Sequence, residues 1–367
     1  MRILYVITST ETGGAEKALV DLSKKMLQAG HTVKVLCLNP LGAEAVTLKK
    51  AGVEVKAVFS KWPGRQIRAI RKEIEQFNPD VIHAMLFRAI QYTRLACAGK
   101  TIPLITTPHF DFAKRPFFYR WTDCLLKEKD TLTVAESLST ASYLVSKQHY
   151  QKDKVYLLPN EADKTLFFRD DALRVSWREK YGFHVKTTVF MCVARLARVK
   201  DPLLLLQAFR NIQMRDPEAR LVYVGEGESR PLLEQYIHQA GLKEKVILAG
   251  QQENINAFLN MADVFVLPSL EESLPFALLE AIQVGLPCIV SRVGDMPRRV
   301  KHGENGFVFP PGDVTLLSCF MAELLNTEVR KQMAAASMRI ASQTEDIFSK
   351  YEHIYQQVVN SFHVKTK

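Results

Sequence analysis

The chain has 367 residues, 47% of them hydrophobic and 24% charged, with a formal net charge of +10. Such a length and apolar content suffice for two domains of roughly 150 to 200 residues and exclude an intrinsically disordered chain. No apolar run reaches the roughly 18 residues of a membrane-spanning helix, and the start, MRILYVITSTETGGAE, carries a glycine turn in place of a small-residue cleavage site, so a cytoplasmic protein is expected.

In chain order, MRILYVI predicts a strand, AEKALVDLSKKMLQAG a helix, and TVKVLCL and VEVKAVF two further strands. A basic helix around QIRAIRKEIEQF follows, then the strands DVIHAML and PLITTPHF. Short β-branched runs alternating with helices have parallel-sheet character. Residues of about 160 to 186 break this rhythm with mixed charge and suit a linker followed by a lead-in helix. The rhythm restarts at TTVFMCVARL and runs through DPLLLLQAFRNIQ, ARLVYVGEG, RPLLEQYIHQAGL, KVILAG, INAFLNMA, VFVLPS, a helix after Ser273, PCIVSRV and GFVFP. From about Thr315 to Phe362 the pattern is helical throughout.

The expected fold is therefore α/β, with two doubly wound Rossmann-like domains facing across a cleft. Residues 1–165 form the first, residues 166–345 the second, and residues 346–367 a helix packing back on the first. Open parallel sheets bind ligands beyond the carboxyl ends of their strands, so the functional motifs belong there.

Several motifs fall at those ends. Gly13 and Gly14 follow the first strand and allow close backbone approach, although neither Gly-x-Gly-x-x-Gly nor a Walker loop is present, which removes the usual signals for NAD and ATP. A tight chain turn explains the two glycines equally well. VARLARVKD places Arg195 and Lys200 at a strand-helix turn, where two cations suit a diphosphate and stabilise a phosphate leaving group. Arg198 reads as a solvated surface charge. Gly225 lies in another glycine turn, VGEGES. In SLEESLPFALLEAI, Ser273 is a candidate helix cap with Pro275 in the first turn, leaving Glu272 in the loop and Glu280 one to two turns inside a nearly all-apolar helix expected to lie buried under a sheet. Backbone N–H groups near residues 274 to 277 then form an anion-attracting end. His109, in TTPHFDF, is a candidate for a reacting group, and His83, in DVIHAML, a weaker one; a satisfied loop or core histidine is the bland alternative for each.

The six cysteines form no Cys-x-x-Cys pair and are expected to be reduced core residues. No His-x-x-x-His or Asp-x-Asp appears at ligand spacing, so no metal is expected and the chain's own cations must neutralise a bound diphosphate. Residues 1 to 165 hold 25 Lys+Arg against 16 Asp+Glu, a balance of +9, while the remaining 24 against 23 leave +1. Nucleic acid, anionic lipid, an anionic substrate and plain surface solvation all fit that bias.

Taken in order, these motifs resemble the retaining glycosyltransferases of family four, which have the GT-B fold and a Glu-x(7)-Glu motif. The resemblance runs over nearly the whole chain: Gly-Gly-Ala-Glu at 13 to 16, LPNEAD at 158 to 163, Arg195 with Lys200, GEG at 225 to 227, ADVFVLPS at 262 to 269, Glu272 with seven residues before Glu280, VGDMP at 293 to 297 and HGENGFVFPPGD at 302 to 313. It implies a hexosyltransferase-type enzyme, retaining and metal-independent, that needs no cofactor beyond its donor. That donor is a nucleoside-diphosphate sugar clamped between the domains, with a UDP-sugar favoured. By the same resemblance Arg195 and Lys200 bind the diphosphate, Glu280 the ribose and Glu272 the sugar hydroxyls, while Ser273, Leu274, Pro275 and Phe276 line the donor. Gly13, Gly14 and Gly225 allow close approach, and His109 bonds the sugar near the anomeric carbon. Two departures stand out: Asn160-Glu161-Ala162-Asp163 replaces the usual Asn-Gly-Val-Asp, and Arg298 follows Pro297 where glutamate is frequent.

Acceptors of this family bind the first domain, which holds the excess positive charge. KRPFFYRWTDCLLKEK, residues 114 to 129, mixes Lys114, Arg115 and Arg120 with Phe117, Phe118, Tyr119 and Trp121. SKWPGRQIRAIRK, residues 60 to 72, adds Lys61, Trp62, Arg65, Arg68, Arg71 and Lys72. The expectation is peripheral binding to an anionic membrane surface on the inner face of the plasma membrane and a saccharide or lipid-linked saccharide acceptor, in surface polysaccharide, lipopolysaccharide or glycolipid assembly. At least half of these aromatics are expected to be core residues. Two other readings compete. A GT-B sugar-nucleotide epimerase is separated by acceptor-dependent nucleotide release. A non-enzymatic basic binding module is separated by sequence-selective binding, and no specific nucleic-acid motif is present.

Overall fold

The computed structural model describes residues 1–11, 13–109, 116–343 and 346–365. The chain divides into two compact units: Met1–Pro159 with Asp346–Lys367, and Asn160–Glu345.

The first unit is built on seven parallel strands, β1 Arg2–Ile7, β2 Thr32–Cys37, β3 Glu54–Ala57, β4 Val81–Met85, β5 Leu104–Thr107, β6 Leu132–Ala135 and β7 Val155–Leu157. Their order is β3-β2-β1-β4-β5-β6-β7. β1 pairs with β2 on one side and β4 on the other, with Tyr5 opposite Val35 and His83. The chain order reverses beside β1, which makes β1 and β4 flank a topological switch point. Helices α1 Gly14–Gln28, α2 Ala43–Lys50, α3 Pro63–Phe77, α4 Phe87–Ala96, α5 Phe117–Leu126 and α6 Leu138–Ser146 connect the strands. α3 shows why they form. Pro63 occupies its first turn, Ile70, Ile74 and Phe77 fall on one buried face, and Asn78 ends it in the left-handed region at φ 45°.

The second unit opens with α7 Asp171–Lys180, capped by the Asp170 side chain, which accepts from Leu173 N–H. Six parallel strands follow: β8 Val189–Val193, β9 Arg220–Val224, β10 Val246–Leu248, β11 Val264–Leu267, β12 Cys288–Ser291 and β13 Gly306–Phe309, in the order β10-β9-β8-β11-β12-β13. Here the switch point lies between β8 and β11. The helices are α8 Pro202–Gln213, α9 Arg230–Gln239, α10 Ile255–Met261, α11 Phe276–Gln283, α12 Met296–Arg299, α13 Val314–Glu323 and α14 Thr327–Ser342. One large apolar core spans both faces of this sheet, as buried parallel strands require.

The last helix, α15 Ile347–Lys365, belongs to the first unit, where Ile347, Tyr351, Ile354, Tyr355 and Val358 join the core that holds Ile3, Tyr5 and Val81. The single helical run expected from Thr315 to Phe362 is instead three helices. Asn326 stops the run, its side chain accepting from Glu328 and Val329 N–H to start α14. The stretch from 160 leads into the expected helix, α7, and Arg174 and Arg178 on that helix both pair with Asp263, at 2.5 and 3.1 Å. Cys37, Cys192 and Cys288 are buried and reduced as expected, whereas Cys124 and Cys319 are exposed because they fall on the outer faces of α5 and α13.

Candidate functional site

In the second unit, four loops at the carboxyl ends of adjacent strands interlock. The loop after β8 runs beside the glycine loop after β9: Ala194 N–H donates to Val224 O at 3.0 Å, Leu196 N–H to Glu226 O at 2.9 Å, and Ser229 N–H to Leu196 O at 2.8 Å. Contact is so close that a Cβ on Gly225 would stand 2.0 Å from Ala194 O, and one on Gly227 would stand 2.4 Å from Leu196 O. Both glycines also hold positive φ, 139° and 158°. With its two neighbours tied down and its carbonyl accepting from Ala197 N–H at 2.8 Å, Arg195 projects as an exposed cation whose guanidinium makes no hydrogen bond or ion pair to a described residue.

The β8 loop closes in a 3-10 turn, Arg198–Lys200, that reaches the loop after β11. Leu270 N–H donates to Val199 O at 2.8 Å, and the Lys200 Nζ donates to the Glu272 carboxylate. The Ser269 hydroxyl donates to the same oxygen, Glu272 Oε1, at 3.0 Å, and Ser269 O in turn accepts from the Ser291 hydroxyl. Beneath them, burial pushes the Cys192 thiol up to about 12, so it stays protonated and is no nucleophile. Gly294, at φ 51°, lets the loop after β12 approach, since a Cβ there would sit 2.3 Å from Glu272 O. Asp295 N–H completes the contact by donating to Ser273 O at 2.8 Å.

The helix start differs from expectation. α11 begins at Phe276 with Pro275 as its cap residue, so Ser273 lies in the loop and is not the cap, and no side chain caps the helix. Glu280 falls in the second turn, 3% exposed, among Leu278, Leu279, Ala281 and Ile282, which pack toward β11, β12 and α14. Arg195, Lys200, Gly225, Glu272 through Phe276, and Glu280 thus sit together around the switch point of one sheet. Two cations there match an anionic group, and two carboxylates match hydroxyls.

Gly13, Gly14 and His109 belong to the first unit. Gly13 caps α1 with extended backbone, φ −166°, which any residue adopts, and Gly14 opens the helix. The Glu16 carboxylate lies against Gly13, and burial raises its pKa. His109 follows β5 in the left-handed region, φ 53°, with its buried Nε2 bonded to no described residue. Desolvation lowers its pKa to about 4, so it is neutral at pH 7. His83 is a core residue. Its Nδ1 pairs with the Tyr355 hydroxyl at 2.7 Å and its Nε2 with the Thr107 hydroxyl at 2.8 Å, and burial lowers its pKa to about 3.

Sequence reasoning quoted Ser269, Asp295 and Asn160 within motifs but gave none of them a role of its own, and it missed Arg299. Asn160 donates through Nδ2 to Leu274 O at 3.0 Å. Glu161, singled out as a departure, pairs with Arg299. The arginine flagged beside it, Arg298, is 64% exposed and reaches Asp295 only at 3.7 Å. Adjacent residues on a short helix point in different directions, so the arginine pair needed geometry to resolve.

Among the described residues, no group of three or more His, Cys, Asp or Glu side chains is arranged to hold a metal ion. None of the described helices is long and apolar enough to cross a membrane.

Residues 12–165 match the family Glycosyltransferase Family 4, and residues 174–339 match Glycosyl transferases group 1. N-acetyl-alpha-D-glucosaminyl L-malate synthase of Bacillus anthracis is 26% identical over 95% of this chain and 94% of its own. UDP-Gal:alpha-D-GlcNAc-diphosphoundecaprenol alpha-1,3-galactosyltransferase of Escherichia coli is 28% identical over 68% of this chain and 67% of its own. Among solved structures, Anabaena Alr3699/HepE in complex with UDP-glucose superposes with a TM-score of 0.86 at 21% identity, covering 99% of this chain and 100% of that one. With two switch-point sheets and these matches in register along it, the chain is a glycosyltransferase of the GT-B fold and of the family-four type.

Proposed function

We propose that the protein transfers a hexosyl group from a UDP-sugar to a saccharide or lipid-linked saccharide acceptor, with retention of anomeric configuration and without a metal. The observation that carries this reading is the Lys200–Glu272 pair at the β8/β11 switch point, beside the exposed Arg195 and the buried Glu280. Arg195 and Lys200 hold the diphosphate and offset the charge that develops on it. Glu272 accepts from hydroxyls of the sugar, and Glu280 from those of the ribose. From the first unit, Gly13 and Gly14 allow close approach to the phosphates and neutral His109 bonds the sugar. The bond from the anomeric carbon to the diphosphate breaks, a bond to the acceptor oxygen forms on the same face, and the acceptor proton passes to the departing phosphate. No paired-carboxylate scheme of the glycosidase kind is needed. Crystal complexes of HepE with UDP and with UDP-glucose support the choice of base.

The acceptor is proposed to lie at a membrane surface. On α5, Phe117, Phe118, Trp121 and Leu125 are exposed, Phe117 by 70%, and only Tyr119 of the four aromatics turns inward, against Phe87 with ring centroids 4.4 Å apart. The expectation that half of them would be core is therefore wrong. The helix is anchored from its other side by buried Asp123, which frees the aromatic face. Lys61, Trp62, Arg65, Arg68, Arg71 and Lys72 are exposed at and along α3, a charge complement to an anionic leaflet. Lys114 and Arg115 lie outside the described residues. A small hydroxy acid is the second acceptor reading, favoured by the relative named for L-malate, which matches 95% of this chain.

A thermal-shift panel of UDP, GDP, ADP and NAD, with and without Mg²⁺, tests the donor. Selective stabilisation by UDP that is unchanged without Mg²⁺ is expected, and no shift with any of them would refute the reading. Turnover of UDP-glucose with L-malate against a diphosphoundecaprenol-linked sugar separates the acceptor classes. Failure to sediment with anionic vesicles at low salt would remove the membrane surface.

A further inference from the structure

The loop from Glu272 to the start of α11 is braced from behind, by the residues where the chain enters the second unit. Two successive carbonyls of the loop are held. Ser273 O accepts from Asp295 N–H at 2.8 Å, and Leu274 O accepts from Asn160 Nδ2 at 3.0 Å. The peptide joining Ser273 to Leu274 is trans, so its N–H points opposite to its held carbonyl. Leu274 N–H therefore faces away from Asp295, and it donates to no described residue. It is a fixed donor beside Glu272.

Asn160 is itself fixed, being 6% exposed with its carbonyl 3.5 Å from Arg299 Nη2. Arg299 pairs with the Glu161 carboxylate, and the Arg299 carbonyl accepts from Asn305 Nδ2 at 3.2 Å. Asn305 is fully buried and takes Lys301 N–H on its Oδ1 at 2.8 Å. A continuous line of hydrogen bonds thus runs from Asn305 through Arg299 to Asn160 and ends on the loop.

We propose that Asn160 and the Glu161–Arg299 ion pair are positioning residues for this loop, presenting the Leu274 N–H to a diphosphate or sugar oxygen of the donor. The inference rests on the donor reading above and extends it to residues that do not touch the donor. It also gives the Glu161 departure a role: where the related pattern has glycine, this chain has a carboxylate that clamps Arg299.

The test measures UDP-glucose and UDP affinity by calorimetry and amide exchange of residues 270 to 276 in wild type, Asn160→Ala, Arg299→Gln, Arg299→Lys and the charge swap Glu161→Arg with Arg299→Glu. Asn160→Ala and Arg299→Gln are expected to weaken UDP-glucose binding roughly three- to ten-fold and to speed exchange of the loop without added ligand. Arg299→Lys and the charge swap should recover most of the affinity, which a loss of fold would not do. Ser337→Ala, which deletes a buried hydrogen bond to Leu286 O elsewhere in the unit, controls for general destabilisation and should bind as wild type. If wild type binds and the Asn160 and Arg299 variants bind equally well, the positioning role is overturned while the donor reading stands. If the variants loosen the loop but wild type binds neither UDP nor UDP-glucose, the donor reading falls and the brace is structural only, which also overturns the proposal.

Discussion

Lys200 and Glu272 share a hydrogen bond across 72 residues of sequence, with Ser269 as a second donor to the same carboxylate oxygen. Glu272→Gln keeps an acceptor for both donors, so a stability change below about 1 kcal/mol is expected. Its turnover of UDP-glucose should nevertheless fall at least roughly ten-fold, because charge is lost where the sugar hydroxyls are proposed to bind; calorimetric melting and steady-state kinetics on one preparation check both. Gly225→Ala is expected to behave in the opposite way, destabilising by about 1 to 3 kcal/mol, since the new methyl meets Ala194 O at 2.0 Å in a positive-φ position. The buried histidines set a pH dependence. His83 and His109 have folded pKa values lowered to about 3 and about 4, against an ordinary value near 6.5. The unfolded chain binds their protons first as pH falls, so their contribution is complete above about pH 6.5 and declines toward pH 4 and then 3, by up to about 1.4 kcal/mol per pH unit for each. Midpoints of urea unfolding between pH 7 and 4 should drop less steeply in His83→Gln.

Among the elements, those with long β-branched runs were legible: β1, β2, β4, β8, β9, β11 and β12 all follow from their strings. β6 and β7, LTVA and VYL, are set among polar and charged residues and give no apolar run to read. The false continuous helix near the end came from weighing helical periodicity above caps, although Asp313 and Asn326 were visible in the sequence. Cations and carboxylates of the candidate site were readable because each sits in a local motif. Asn160 and Arg299 were not, because their partners lie 114 and 138 residues away, and only folding brings them together. Helix α5 shows a contact of the same kind. Arg94 on α4 donates to Asp123 at 2.7 Å and to Asp130 at 2.5 Å, and the Tyr150 hydroxyl donates to Asp123 at 2.8 Å, all buried. Arg94→Met strands two buried carboxylates, and a loss of about 3 to 5 kcal/mol is expected, read by denaturant midpoint. Vesicle sedimentation of the same variant should fall as α5 loosens.

For the molecule as a whole, the first unit is closed by the chain's last helix. Tyr355 bonds both Tyr5, at 3.2 Å, and His83, at 2.7 Å. Deleting residues 346–367 is expected to uncover Tyr5 and His83 and to unfold the first unit at a lower temperature than the second, turning one calorimetric transition into two. The two strand series were readable in sequence, and the division of the units between Pro159 and Asn160 falls where mixed charge begins to break the strand rhythm.

The return of α15 fixes a calendar for synthesis. A ribosome releases the chain from its first residue onward, and domains generally fold as they emerge. Here the second unit, complete at residue 345, has all its strands in hand while the earlier-made one still lacks the helix that covers Ile3, Tyr5 and Val81. The half of the protein translated first is the half finished last, and until Ile347–Lys365 leaves the exit tunnel its sheet is a surface open to chaperones.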